Sequence, residues 1–228
     1  MGSRLCDSLR ACSPTSLPFM AGIEIRVIDR RLGESFDPPK PHDLVVGPNS
    51  DLDLLFADIF DQSHGTLIEN LILMSHALYQ PDAGGQHHFG FGIELGKQNI
   101  TLVNAAGFFS RLAHRFASNL RGIELRGCGV AAYSRVVGAA GVVAVGDGLS
   151  LCQAIANAAQ TGVLASPKAQ SGECKVTPTA GMRRSGATIT PTADTEVGRC
   201  TLGSWTGQVW NFLPNGPANG SGHVVYRR

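Results

Sequence analysis

The chain has no surplus of charge of either sign: 19 Lys and Arg face 18 Asp and Glu, a formal +1. That balance gives no electrostatic footing for nucleic acid or an anionic membrane as partner. There is no run of 18 or more apolar residues either, which excludes a membrane-spanning helix by length. The six cysteines include no CxxC pair, so neither a zinc ribbon nor a dense disulfide scaffold is indicated. A reducing, cytoplasmic setting is the expectation. Residues 1–21 carry two arginines, but Asp7 and the Ser/Pro breaks interrupt any signal-peptide core, and a disordered leader is expected there.

What is present is enough apolar material for one substantial core, 43% of 228 residues, without metal or disulfide staples. Glycine and proline crowd into 135–148 and 166–222, which places the ordered α/β core at 22–167. The loop-rich region 168–228 belongs to the same domain. Ile23-Glu24-Ile25-Arg26-Val27-Ile28 alternates as a strand, and the prolines of FDPPKPHD make the following stretch a loop. Ser50 and Asp53 have capping-box spacing ahead of Leu52, Leu55, Phe56 and Ile59, giving a helix over about 51–62. Residues 70–75, apolar from Leu71 through Met74, suit a strand covered on both faces. FGFGIEL and ITLV are expected to pair as a hairpin about residues 96–99. Asn104 is the expected cap of a helix carrying Phe108, Phe109, Leu112 and Phe116. A strand over 122–127 then stops at Gly127-Cys128-Gly129. Asp147 caps a helix carrying Leu151, Cys152, Ile155 and Ala159, and 163–165 is a further strand. Alternation of strand and helix predicts a mainly parallel sheet. Near the C-terminus the Trp205–Phe212 alternation suggests a β-hairpin.

His76 and Cys128 each follow an apolar strand directly. In open α/β sheets ligands bind beyond the carboxyl ends of the strands, so neighbouring parallel strands 70–75 and 122–127 would bring imidazole and thiol to one edge. A thiol becomes an effective nucleophile when an imidazole takes its proton or holds the thiolate.

Ser75-His76-Ala77, Ile93-Glu94-Leu95-Gly96, Gly127-Cys128-Gly129-Val130-Ala131-Ala132 and Thr161-Gly162-Val163-Leu164-Ala165-Ser166 follow one another in that order. Together these blocks resemble the caspase-like cysteine peptidases of the caspase, gingipain and separase group. The likeness covers about 68–167 and is nearest to a bacterial branch of that fold with SHG and GCxVA motifs. The resemblance implies a caspase-like α/β/α sandwich and a cysteine endopeptidase, self-processing in one version, that forms an acyl-thioester. It implies Cys128 as nucleophile, His76 as general acid/base and the N–H groups of Ala77 and Cys128 as the oxyanion hole. Trp205 is a substrate-binding candidate by the same resemblance, the substrate is a peptide or protein, and no cofactor or metal is expected. One position departs: Ala77 stands where the family pattern has glycine. Alanine keeps the N–H, and the hole survives if the local φ is negative.

Bland readings stand beside these. A cysteine or histidine at a strand end is commonly a packed core residue, and a catalytically silent scaffold would keep the fold. His87 and His88 could bring at most one ligand to a metal site with Cys128, since adjacent residues of an extended segment point to opposite faces. Cys152 has helix-core spacing, Cys6 and Cys12 lie in the leader, and Cys174 and Cys200 could pair in an exported protein. Arg183-Arg184 is a solvated pair or a self-processing position.

Overall fold

The computed structural model describes residues 22–32, 43–117, 122–139, 141–168, 172–174, 200–202, 205 and 208–216. The leader, most of the FDPPKPHD loop and Arg183-Arg184 lie outside the described residues. In chain order the strands are β1 (Ile23–Asp29), β2 (Asp43–Val46), β3 (Ile68–Met74), β4 (His76–Pro81), β5 (His87–Glu94), β6 (Gly122–Arg126), β7 (Tyr133–Gly138), β8 (Gly141–Asp147), β9 (Val163–Ala165), β10 (Gly172–Cys174), β11 (Cys200–Leu202) and β12 (Trp210–Phe212). The α-helices are α1 (Leu52–Gln62), α2 (Ala105–Phe109) and α3 (Gly148–Ala159).

Six strands form one sheet in the order β12-β9-β6-β3-β1-β2, parallel except for β12. The chain steps β2 to β3, β3 to β6 and β6 to β9 in one direction across that order, through α1, α2 and α3 in turn. Right-handed crossovers in one direction put their helices on one face. The core agrees: Leu52, Phe56, Phe109, Leu151 and Ile155 pack in one cluster with Ile25, Val27, Leu71, Leu73, Ile123, Leu125 and Val163. Each such side chain, fully removed from water, contributes roughly 1.5–3 kcal/mol.

The other face holds no α-helix among the described residues. Sheet register lines up Arg26, Ile72, Glu124 and Leu164 there, with Met74 beside Arg126. Asn70 donates to Glu124 (2.9 Å), Arg126 donates to Glu124 through Nε (2.8 Å), and Arg26 pairs with Asp43. The mainly parallel α/β sheet expected from the alternation is therefore present, but its helices form one layer rather than two sides of a sandwich in these segments.

Several local expectations need correcting. Asp51, not Ser50, caps α1, accepting from the Asp53 N–H at 2.8 Å, while Ser50 Oγ accepts from Gly47. Asn104 makes no cap bond to α2; its side chain accepts from Thr101 N–H and donates to the Asn99 carbonyl, tying the turn ahead of a short helix that continues as 3-10 over Ser110–Leu112. Phe116 bridges to Ile68 outside any helix. The hairpin about 96–99 reduces to a single bridge between Ile93 and Ile100, and the main partner of β5 is β4. Nor is Trp205–Phe212 a hairpin in the described residues: β12 instead extends the central sheet by pairing antiparallel with β9. Most of the glycine-rich 135–148 is taken up by the ribbon β7–β8.

Candidate functional site

All five parallel strands end at one edge, where the chain must turn out of the sheet. β3 and β6 are immediate neighbours, with Met74 opposite Arg126, and the Ser75 N–H donates to the Arg126 carbonyl at 3.3 Å. The next residues are Gly127 and Cys128 on one chain, His76 and Ala77 on the other. They stay close: a Cβ placed on Gly127 would lie 2.9 Å from the Ser75 carbonyl oxygen and 3.5 Å from the Ala77 nitrogen. Any side chain at 127 would wedge the two turns apart, which is the structural reason for glycine before the cysteine.

His76 opens β4, is exposed, and sets Nε2 3.2 Å from the Arg31 carbonyl oxygen. A carbonyl only accepts, so Nε2 carries the hydrogen and Nδ1 is left as the basic nitrogen of the neutral ring. Arg31 is itself held: its guanidinium donates to Asp29 at 2.7 and 2.9 Å, to Glu94 at 2.9 Å and to the Gly96 carbonyl at 3.2 Å. Asp29 is fully buried. Its hydrogen bond leads the causes, with Glu94 adding to them, that raise the Arg31 pKa above the ordinary value. The clamp joins the end of β1 to β5, and Glu94 is the register partner of His76 on β4. Sequence reasoning missed this support, because a backbone carbonyl has no residue-type signature; the only clue was the charged run that closes β1.

The clamp also sits where sheet topology would put a ligand. From β1 the chain goes to β2 on one side, whereas the next strand added, β3, lies on the other. Such a reversal opens a crevice beyond the carboxyl ends of the two central strands. Here those ends are Asp29 and Met74, with Arg31 and His76 just beyond them.

No family model, curated protein or solved structure matches the chain.

Ala77 is buried, and its φ is not positive. Methyl for hydrogen at this site therefore costs no left-handed strain. The direction of its N–H follows from the neighbouring ladder. Ile93 spends its N–H and its carbonyl on Ile100, at 2.8 and 2.9 Å. Both groups of a strand residue point to the same side, so the Ala77–Ile93 pair on the opposite side is of the non-hydrogen-bonded kind. The Ala77 N–H accordingly faces away from β5, toward Gly127.

Cys128 lies in a tight turn and is half-buried. The Gly129 N–H donates to the Lys168 carbonyl (2.9 Å), the Ala131 N–H to the Ser166 carbonyl (3.1 Å), and the Gly148 N–H to the Ala132 carbonyl (2.9 Å). Gly129 has φ +63° and rests on Phe89: a Cβ there would stand 2.7 Å from the Phe89 Cβ. Cys152 is the opposite kind of thiol. It is fully buried within α3, and burial, with the Asp147 carboxylate adding to it, pushes its pKa up.

Trp205 stands over Arg126, whose guanidinium carbon is 4.5 Å from the ring centroid, on the polar face and two residues before Cys128. Trp210 belongs to β12 instead, so the two tryptophans do not share one strand. His87 stacks on Tyr79 with centroids 4.0 Å apart, and His88 pairs with Asp82 at 3.1 Å. Neither is drawn into a cluster with Cys128, and among the described residues no three His, Cys, Asp or Glu side chains gather at metal-binding spacing.

Proposed function

We propose that the chain is a cysteine peptidase of caspase-like kind, with Cys128 as nucleophile and His76 as general acid/base. The observation that carries this reading is the in-register pairing of β3 with β6, which delivers His76 and Cys128 to one edge on backbones that touch at Gly127. The Arg31 carbonyl on Nε2 supports it, because a base must be held in the tautomer that leaves its other nitrogen bare.

In the proposed cycle His76 Nδ1 takes the Cys128 proton and the thiolate attacks the substrate carbonyl carbon. The oxyanion that forms is received by the N–H groups of Ala77 and Cys128. The intermediate collapses by expelling the amine, which leaves with the proton from His76, and a thioester remains. Water then attacks the thioester with His76 as base; the acid departs and the thiol is restored. Trp205, held against Arg126, is the proposed wall for the substrate chain, and a peptide or protein is the proposed substrate.

The rival is a silent scaffold on the same fold; Ala77 would favour it if the backbone there were left-handed, and its φ is not positive. The test is hydrolysis of a broad peptide library, together with self-cleavage, by the full chain and by Cys128→Ala. Cleavage by the wild type that disappears in the variant is expected. No cleavage of either kind by the wild type would favour the scaffold.

A further inference from the structure

The C-terminal region carries two more cysteines, and the backbone brings them together. β10 and β11 pair antiparallel, with Gly172 opposite Leu202, Glu173 opposite Thr201 and Cys174 opposite Cys200. In sequence they are 26 positions apart, so their meeting is a property of this pairing and not of chain proximity. Directly opposed residues of an antiparallel pair have Cα atoms about 4.5 or 5.5 Å apart, according to whether the pair is hydrogen-bonded. Both values fall within the roughly 4.4–6.8 Å that a disulfide bridges.

We infer that Cys174 and Cys200 form a cross-strand disulfide, made by exchange with a small-molecule disulfide such as oxidised glutathione. One cysteine thiolate attacks the glutathione disulfide, forming a mixed disulfide and releasing one glutathione. The second thiolate attacks the protein sulfur of that mixed disulfide and releases the other glutathione. Two electrons pass from the cysteine pair to glutathione, and the two thiol protons end on the two glutathione thiols.

The bond would act at a defined place. Lys168, whose carbonyl holds the Gly129 N–H in the turn of Cys128, precedes Cys174 by six positions. Trp205, over Arg126, follows Cys200 by five. The bridge closes residues 174–200 into a covalent ring whose two ends lead directly to Lys168 and Trp205, and a cut anywhere in 175–199, Arg183-Arg184 included, would leave the two pieces joined. None of this requires Cys128 to be a nucleophile.

The test uses the full-length chain, equilibrated natively with oxidised glutathione, alkylated, and digested with trypsin without reduction. Cleavage after Lys168, Lys175, Arg199 and Arg227 releases Cys174 in peptide 169–175 and Cys200 in peptide 200–227. The expected result is a single linked species of these two peptides, dominant in the native sample, collapsing to its two components on reduction and missing from Cys200→Ser. Recovery of the two peptides separately, as alkylated or glutathionylated species, would overturn the inference. So would linkage of either cysteine to Cys6, Cys12 or Cys128, or a linked yield no greater than that of the chain oxidised in guanidinium, where register cannot act.

Discussion

The same parallel strands present a covered face and a polar carboxyl edge, and the two are built on opposite terms. Under α1, α2 and α3 the centre of the sheet is apolar, packed to the point that Ile25, Phe56, Phe109 and Ile155 are wholly out of water. At the carboxyl edge the strands stop, backbone groups are released from the ladder, and polar residues gather: Asp29, Arg31, His76, Cys128 and Ser166. The two thiols mark the contrast. Cys152 sits in the apolar layer, where burial disfavours its thiolate, and Cys128 sits in a half-buried turn ringed by main-chain hydrogen bonds. Stability resides in the first region and the proposed chemistry in the second, so substitutions should separate along that line.

Phe109 gives the largest expected effect on the covered side. Its ring meets Phe56 edge-on at 5.0 Å and is fully buried, so Phe109→Ala should cost about 3–5 kcal/mol in denaturant unfolding. The folded fraction should still hydrolyse peptide normally. His76→Ala is the converse. The side chain is exposed, so the unfolding midpoint should hold while turnover falls about 10²–10⁴-fold.

Arg31→Ala is the substitution that should cross the line. It leaves Asp29 buried without its guanidinium partner, at a cost on the order of 3 kcal/mol, and it loosens the carbonyl that holds His76. Loss of stability together with slower turnover is expected; a loss of stability alone would make the clamp merely structural. Ala77→Gly should do least. With φ already negative there is no strain to relieve, so turnover should stay level, and added backbone freedom in the strand should cost roughly 0.5–1 kcal/mol. A clear gain in turnover would mean that the oxyanion hole is strained after all.

How far the molecule could be read from its sequence follows the same division. β1, β3, β6, α1 and α3 were legible because burial on the covered side writes itself into spacing: Leu52, Leu55, Phe56 and Ile59 recur at helical period, and Leu71-Ile72-Leu73-Met74 is too apolar for anything but an interior strand. The elements at the margin left weaker marks. β4 begins at exposed His76 and ends at Pro81, with only Ala77 buried, so no alternation announced it. β7 and β8 expose Val137, Val142, Val143 and Val145 and turn through glycines, which by composition reads as loop. β2 is four residues hard against a proline-rich stretch. At the edge itself His76 and Cys128 could be singled out, since side-chain chemistry has a letter. The Arg31 carbonyl and the direction of the Ala77 N–H could not, because they are set by register and by which ladder Ile93 joins.

The contrast between the two thiols is the most direct thing to measure. Native protein is titrated with a trace of iodoacetamide across pH 5–9, and the modification of each cysteine is followed by peptide mapping in the wild type and in His76→Ala. A Cys128 that alkylates far ahead of Cys152, with a pH profile that moves when His76 is removed, is the expected result. Equal labelling of the two cysteines, or a Cys128 profile indifferent to His76, would contradict the proposed pair.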